Sequence, residues 1–389
     1  SPLYETLKAQ GAVHSQTFGW ERPKWFSLDG RDEDYSYHRN NVFEVVRDEC
    51  LAVRDRVGIM DFTGFAKYEV RGPDARAYLN RLCANRIPSK QGGITLTHVL
   101  SDQGRIQGEM TITCIAADFY YVLSAASAET RDMDHLLQGL QAKEQVSIQN
   151  VTDDWGLLVV AGPRARDLLS ACSTADFSTE AFRWFTGQAI TIAGVPVRAL
   201  RMNYVGELGW ELHHPMDKME TLYEAIMEAG EEFGIANFGT YAMNSLRMEK
   251  AYKGWGSELT TEITPMEAGL DRFVDFSKCF LGREATLSRK LLGVTTKLVY
   301  LTVETSDSDC LGNETVLNPE ATSGENIIGV TTSGAYGHTV SQSMAFAYVQ
   351  PKFAEPGTRL EIRVLGHNCS ATVLKEAAYD PQNLRLRDV

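Results

Sequence analysis

No apolar run in this chain approaches the ~20 residues needed to span a bilayer. The opening residues, Ser1-Pro2-Leu3-Tyr4-Glu5, also lack the basic and apolar regions of a secretory signal, so a soluble protein with no membrane partner is expected. No cluster of Lys and Arg is present. With 38 basic residues against 51 acidic and a net charge of −13, nucleic acid is not an expected partner, because phosphate backbones are bound by cations gathered on one face. The seven cysteines are scattered, odd in number and never arranged C-x-x-C. This points to reduced thiols and an intracellular setting, cytoplasmic or, in a eukaryote, the mitochondrial matrix. No G-x-G-x-x-G follows a strand, which argues against a dinucleotide or FAD site. Neither H-E-x-x-H nor a Cys/His cluster occurs, and His213 and His214, being adjacent, would face opposite sides of a strand, so no metal site is expected. Serine and cysteine nucleophile motifs are missing too.

What is present is enough apolar material for compact folding: 43% of 389 residues, a length that suggests two or three domains at roughly 100–200 residues each. Residues 1–40, with Phe18-Gly19-Trp20 and Pro23-Lys24-Trp25-Phe26, are aromatic yet broken by Gly and Pro, and read as an irregular arm. Helical spacing marks 42–57, 74–84, 130–140, 164–171, 216–229 and 241–251. Short alternating runs at 95–100, 109–115 and 119–124 predict an antiparallel meander, and further strands are expected at 66–70, 156–161, 189–192, 195–202 and 210–213. Strands that meet strands, without strict alternation with helices, indicate α+β. Residues 41–290 form two interleaved α+β domains in this reading. From 291 to 389, short β runs punctuated by Gly, Pro and Asn predict a small barrel or sandwich.

One octapeptide stands out, Tyr204-Val205-Gly206-Glu207-Leu208-Gly209-Trp210-Glu211. Gly206 and Gly209 allow a sharp turn or a close backbone approach, and a carboxylate held there suits a planar pair of N–H donors. A solvated turn Glu is the plainer alternative. Downstream come Asn244-Ser245-Leu246-Arg247-Met248-Glu249-Lys250, Tyr252-Lys253-Gly254-Trp255-Gly256 and Phe280-Leu281-Gly282-Arg283-Glu284. In this order, together with Leu158 to Pro163 and Gly329 to Gly334, the segments resemble the folate-binding T-protein family. That family comprises glycine-cleavage aminomethyltransferases and the C-terminal folate halves of dimethylglycine and sarcosine dehydrogenases.

The resemblance implies a three-domain cloverleaf with tetrahydrofolate at its centre. It also implies Glu207 as the anchor of the pterin edge, through charge-strengthened hydrogen bonds. Arg247 would line the folate site, its guanidinium suited to a carboxylate tail, unless it pairs with Glu249, Glu258 or Glu262 as scaffold. Tyr252 and Trp255 would wall the ring system, and Tyr121 and Ser124 would meet the middle of the folate. Glu109, where aminomethyltransferases show two consecutive Asp and this chain has Gly108-Glu109, is the expected catalytic carboxylate, with a salt bridge to Arg105 as the competing role. The departure at Gly108 shifts the resemblance toward the methylamine-oxidising dehydrogenases. Arg283 reads as a structural link. The implied function is one-carbon transfer from a methylated amine such as dimethylglycine or sarcosine, or its imine, any oxidation being left to a flavoprotein partner or an N-terminal flavin domain. Direct demethylation of a sulfonium, quaternary ammonium or aryl methyl ether, and folate binding without catalysis, are the alternatives.

Overall fold

The computed structural model describes residues 1–321 and 326–388. Two sheets and a barrel organise them. The first sheet runs Gly187–Ile192, Val195–Leu200, Gly209–Pro215, Trp155–Ala161, Val57–Asp61, Ile235–Asn237, antiparallel except for the last pair. The second is the expected meander extended on one side: Ile94–Leu100, Ile106–Ala116, Phe119–Ser124, Ala66–Arg71, Ser147–Asn150. Lys297–Val303, Gln342–Val349, Ile327–Gly337, Thr315–Leu317, Arg359–Val364 and His367–Val373 close into a six-stranded barrel. The architecture is α+β, and the choice between barrel and sandwich falls to the barrel.

Each sheet buries a face under helices, and the first sheet is also covered on its opposite face around Leu157 and Val159, by Val46 and Val53 of the helix Phe43–Asp55 and Leu246 of Thr240–Glu249. Trp210 and Leu212 on one strand face a core that includes Leu168 and Leu169 of the helix Ala165–Cys172 and Leu222 and Ile226 of Met219–Gly230. Trp210 is fully buried, and Phe177 meets it edge-on at 5.3 Å between ring centroids, a geometry favoured by the ring quadrupoles. Because side chains alternate along a strand, seating Trp210 also fixes where its neighbours point. In the second sheet Met110, Ile112 and Cys114 pack against Tyr78, Leu79 and Leu136 of the helices Ala75–Leu82 and Glu129–Gln138.

The first forty residues are more regular than their composition suggests. They hold a helix, Tyr4–Ala9, and a hairpin, Ala12–Thr17 with Trp20–Phe26. Phe18 and Gly19, at φ 52° and 83°, form the two-residue turn, whose right-handed twist needs positive φ at both positions. Pro23 sits beside the bulge between Val13 and His14, where a missing N–H costs little. Breaker residues therefore mark a turn and a bulge inside the hairpin. Glu49 ties this hairpin to the body, accepting from Phe26 N at 2.7 Å and Gly239 N at 2.8 Å. No helix among the described residues is long and apolar enough to cross a membrane.

Candidate functional site

Beyond the helices Phe43–Asp55 and Thr240–Glu249, the remaining part of that face of the first sheet meets the second sheet. Ile94, Tyr121 and Leu123 of the second sheet pack with Leu200 of the first. Polar contacts cross the same gap: Tyr121 Oη lies 3.2 Å from His213 Nδ1, and Arg198 donates to Glu69 Oε1 at 2.7 Å. Alternation supplies the side chains. With Trp210 and Leu212 turned into one core, Glu211 and His213 face the second sheet; with Met110 and Ile112 turned into another, Glu109 and Thr111 face the first.

Glu211 is the anomalous group. It is 7% exposed, and its carboxyl forms no hydrogen bond among the described residues; His213 Nε2 stands 3.4 Å away. Burial pushes its pKa up to about 8, as expected of a carboxyl removed from water. Burial also drives His213 far below its ordinary value, with Lys67, His214 and Arg198 adding to the effect. His214 points away from this space and packs over Gly156. Buried polar groups in folded proteins are nearly always satisfied, which makes the Glu211 carboxyl a candidate contact for a ligand.

Glu109 lies on the same inner face. Its Oε1 is 3.3 Å from Nε2 of the buried His98, and its side chain keeps 24% exposure. No ion pair to Arg105 is formed among the described residues. Across from it runs the segment from Tyr204 to Tyr252 and Trp255. Burial raises the pKa of Tyr204, with Arg247 opposing and Glu258 and Glu109 reinforcing. Lys253 is lowered by burial and Arg272, against Glu258 and Glu109. Tyr252 stacks on Tyr204 at 6.0 Å and is pushed up to about 12, chiefly by burial. Trp255 is half-buried beneath the guanidinium of Arg131, 4.6 Å from its ring centre. Glu109, Tyr252 and Trp255 are thus brought to one region.

Glu207 and Arg247 are placed differently from a ligand-facing pair, since both are already partnered. Glu207, 1% exposed, accepts from Arg54 Nη1 at 3.3 Å, from Arg385 Nε at 3.3 Å and from the Tyr379 hydroxyl. Arg54, equally buried, also donates to Val205 O at 2.8 Å and Glu249 Oε2 at 2.8 Å. Glu249 in turn accepts from Thr339 N on the barrel side at 2.7 Å. This network joins the Gly-Glu turn, two helices, the barrel and the C-terminal segment. Gly206, at φ 78°, makes room for it: a Cβ there would stand 2.2 Å from Lys250 Cγ. Arg247 donates to Glu258 Oε2 at 3.2 Å, Ser333 Oγ at 3.0 Å and Tyr252 O at 3.1 Å. Glu258 is fully buried and also accepts from Gly254 N, Ser257 and Thr332. The pair clamps the Tyr252–Trp255 loop to the barrel.

Tyr121 and Ser124 do not share a cavity. Three residues apart on one strand, they face opposite sides: Tyr121 looks into the gap between the sheets, whereas Ser124 lies under the helices beside Asp132. Burial raises Asp132 to about 6, with Ser124 and Arg131 opposing. The sequence reading overlooked Glu211, His213, Arg54 and Tyr379. For the first two a signal existed, the alternation of apolar Trp210 and Leu212 with polar Glu211 and His213. Arg54 and Tyr379 carry no such signal, because their partner lies more than a hundred residues away.

Comparison with known proteins bears on the family and the fold. The GCVT N-terminal domain matches residues 3–278, and the glycine cleavage T-protein C-terminal barrel domain matches 296–380. Mitochondrial dimethylglycine dehydrogenase of Mus musculus is 39% identical over 394 residues, an alignment that takes in 100% of this chain and 44% of that protein. The aminomethyltransferase of Halothermothrix orenii is 29% identical over 377 residues, covering 96% of this chain and 98% of the other. The solved glycine cleavage system aminomethyltransferase T from Bartonella henselae shares the fold, with a TM-score of 0.85 at 22% identity and 98% coverage of both chains. The chain therefore spans less than half the length of the dehydrogenase and nearly all of the transferase. With both of its domain models matched in order, it belongs to the glycine cleavage T-protein family.

Proposed function

We propose that this chain binds tetrahydrofolate between its two sheets and passes to it a one-carbon unit from a methylated amine such as dimethylglycine or sarcosine, presented as the imine. The observation that carries the proposal is the buried carboxyl of Glu211, without a hydrogen bond among the described residues, on a polar inner face that Glu109 also faces, in a chain of this family. A pterin edge offers adjacent N–H donors, and a carboxylate accepts such a pair with charge-assisted bonds. Glu211, which burial keeps protonated up to about pH 8 in the free protein and which would ionise as the donor pair docks, suits that task better than Glu207, whose oxygens already serve Arg54, Tyr379 and Arg385.

The neighbouring groups take supporting roles. Tyr121 holds His213 in place beside Glu211. Glu207 fixes the turn that leads into the Glu211 strand. Arg247, through Glu258, positions Tyr252 and Trp255 as walls of the site, and Ser124 supports the strand from behind. Bound tetrahydrofolate would supply the nucleophilic amine nitrogens that receive the carbon. Glu109 would stabilise the cationic donor facing it, and its contact with His98 gives the proton released a place to go. A flavoprotein partner or domain would perform the prior two-electron oxidation of the amine.

The test is product identity. The chain is incubated with tetrahydrofolate and 13C-methyl dimethylglycine, with and without a flavin-dependent amine dehydrogenase. Labelled methylene-tetrahydrofolate formed only with the dehydrogenase, and faster with this chain than without it, is the expected result. Labelled 5-methyl-tetrahydrofolate formed without an oxidant would establish direct demethylation instead. Folate bound but never converted under either condition would leave a binding protein.

A further inference from the structure

On the side of the second sheet away from Glu109, the fold gathers cations that the sequence keeps apart. The helix Ala75–Leu82 buries Ala75, Tyr78, Leu79 and Leu82 against that sheet, so helical spacing turns Arg76, Ala77, Asn80 and Arg81 outward together. This outer stripe is one wall of an open cavity of about 480 Å³, and Arg86, Lys278 and Cys279 complete it. No carboxylate among the described residues lines the cavity. Four cations thus face one space in a chain whose net charge is −13. Two are held from outside by acids. Arg81 forks onto Glu144, with Nη2 2.7 Å from Oε1, and Arg86 donates through Nε to Asp275 Oδ2 at 2.9 Å and through Nη2 to Ser277 Oγ at 3.0 Å. Lys278 donates to the carbonyl oxygens of Asn80, at 2.7 Å, and Cys83, which leaves one of its three protons free. Arg76 is exposed and makes one hydrogen bond among the described residues, Nε to Ile87 O at 3.3 Å. Burial lowers Lys278 to about 8, with Cys83 and Asp275 opposing and Arg86 adding to the fall. An anion placed among these groups would relieve that repulsion.

The open donors come from three separate segments: Arg76 from the helix, Arg86 from the loop that follows it, and Lys278 from the turns before Arg283. A planar carboxylate takes a guanidinium fork along one edge, as Glu144 does with Arg81, whereas a tetrahedral phosphate has oxygens for donors arriving from several sides. We propose that this cavity is a second binding site, one that takes a phosphate group, free or carried by a small molecule. Its volume falls within the range of small-molecule sites, about 300–1,000 Å³. The site goes beyond the one-carbon reading and does not depend on it, since the helix and the sheet separate it from the gap that holds Glu109 and Glu211.

Cys279, exposed on the cavity wall, reports its occupancy. The chain is alkylated with iodoacetamide, alone and with pyrophosphate, inorganic phosphate, ADP or citrate at matched ionic strength, and its cysteine peptides are read by mass spectrometry; isothermal titration gives the affinities. Pyrophosphate should bind once per chain with a Kd at or below about 1 mM. It should slow alkylation of Cys279 by about the factor 1 + [L]/Kd and leave the half-buried Cys369 of the barrel unaffected. R76Q removes the least committed guanidinium, and A77E puts a carboxylate on the wall without touching the buried stripe. Each should weaken pyrophosphate by about tenfold to a hundredfold, the range of a charged hydrogen bond, with melting and tetrahydrofolate binding as in the unchanged chain; if one melts early, the other carries the test. K352Q, on the barrel side, should change nothing. Tighter binding of ADP than of inorganic phosphate would uphold the proposal with a phosphate ester as occupant, and the reverse would uphold it with free phosphate. Citrate bound as tightly as pyrophosphate, no protection of Cys279 by any phosphate, unchanged binding by both cavity variants, or an equal loss in K352Q would overturn it.

Discussion

Replacing Glu207 by Ala separates two roles for the Gly-Glu turn. The carboxylate is 1% exposed and receives Arg54, Arg385 and Tyr379. Removing it leaves the Tyr379 hydroxyl short of its acceptor and the buried Arg54 with one carboxylate where it had two. Breaking a buried ion pair costs about 3–5 kcal/mol. Because Arg54 keeps Glu249 and Val205 O, the loss should fall near the lower end, about 3 kcal/mol, with the orphaned hydroxyl adding roughly 1 kcal/mol. Urea denaturation followed by tryptophan fluorescence reads this as a midpoint lowered by about 1 M, for a slope on the order of 3 kcal/mol/M. A Glu207→Ala protein with an unshifted midpoint that has lost tetrahydrofolate binding would refute the structural role and restore Glu207 as the ligand's anchor.

Other substitutions have equally definite outcomes. For Glu211, the folded-state pKa of about 8 lies above its ordinary 4.5, so the native state holds the proton more tightly. The group's contribution to stability then falls as pH rises from about 4.5 to about 8 and is level beyond. Glu211→Gln should remove that fall, which parallel denaturation series at pH 5, 7 and 9 would show; identical pH dependence in both proteins would contradict the burial argument. Glu49→Ala leaves the Phe26 and Gly239 N–H groups unpaired and should cost about 2–4 kcal/mol, with faster proteolysis of the N-terminal hairpin. Glu109→Gln removes a charge that retains 24% exposure and has His98 beside it. It should leave melting and folate affinity nearly unchanged while slowing one-carbon transfer by about a hundredfold or more, in line with loss of a general acid or base.

Much of the architecture is written in local pattern. The meander from Ile94 to Ser124 announces itself by alternation, and the same alternation puts Glu109 on a face different from Met110 and Ile112. Where the sequence misleads, one local signal has two physical uses. Gly19 and Pro23 read as breakers, yet they serve a hairpin turn and a bulge. Glu207 and Glu211 sit four residues apart in one motif. Glycines draw the eye to the first, whereas strand register exposes the second to the gap between the sheets. The identity of the partners decides the rest. Arg54, Glu258 and Tyr379 satisfy groups distant in sequence, and nothing in local spacing records such pairs.

Isothermal titration of tetrahydrofolate into the chain, Glu211→Ala and Glu207→Ala, each first shown to be folded by its melt, addresses the site most directly. Micromolar binding by the chain, abolished in Glu211→Ala and retained by whatever fraction of Glu207→Ala remains folded, is the expected result. No binding by the chain, or full binding by Glu211→Ala, would contradict the placement of the folate between the two sheets.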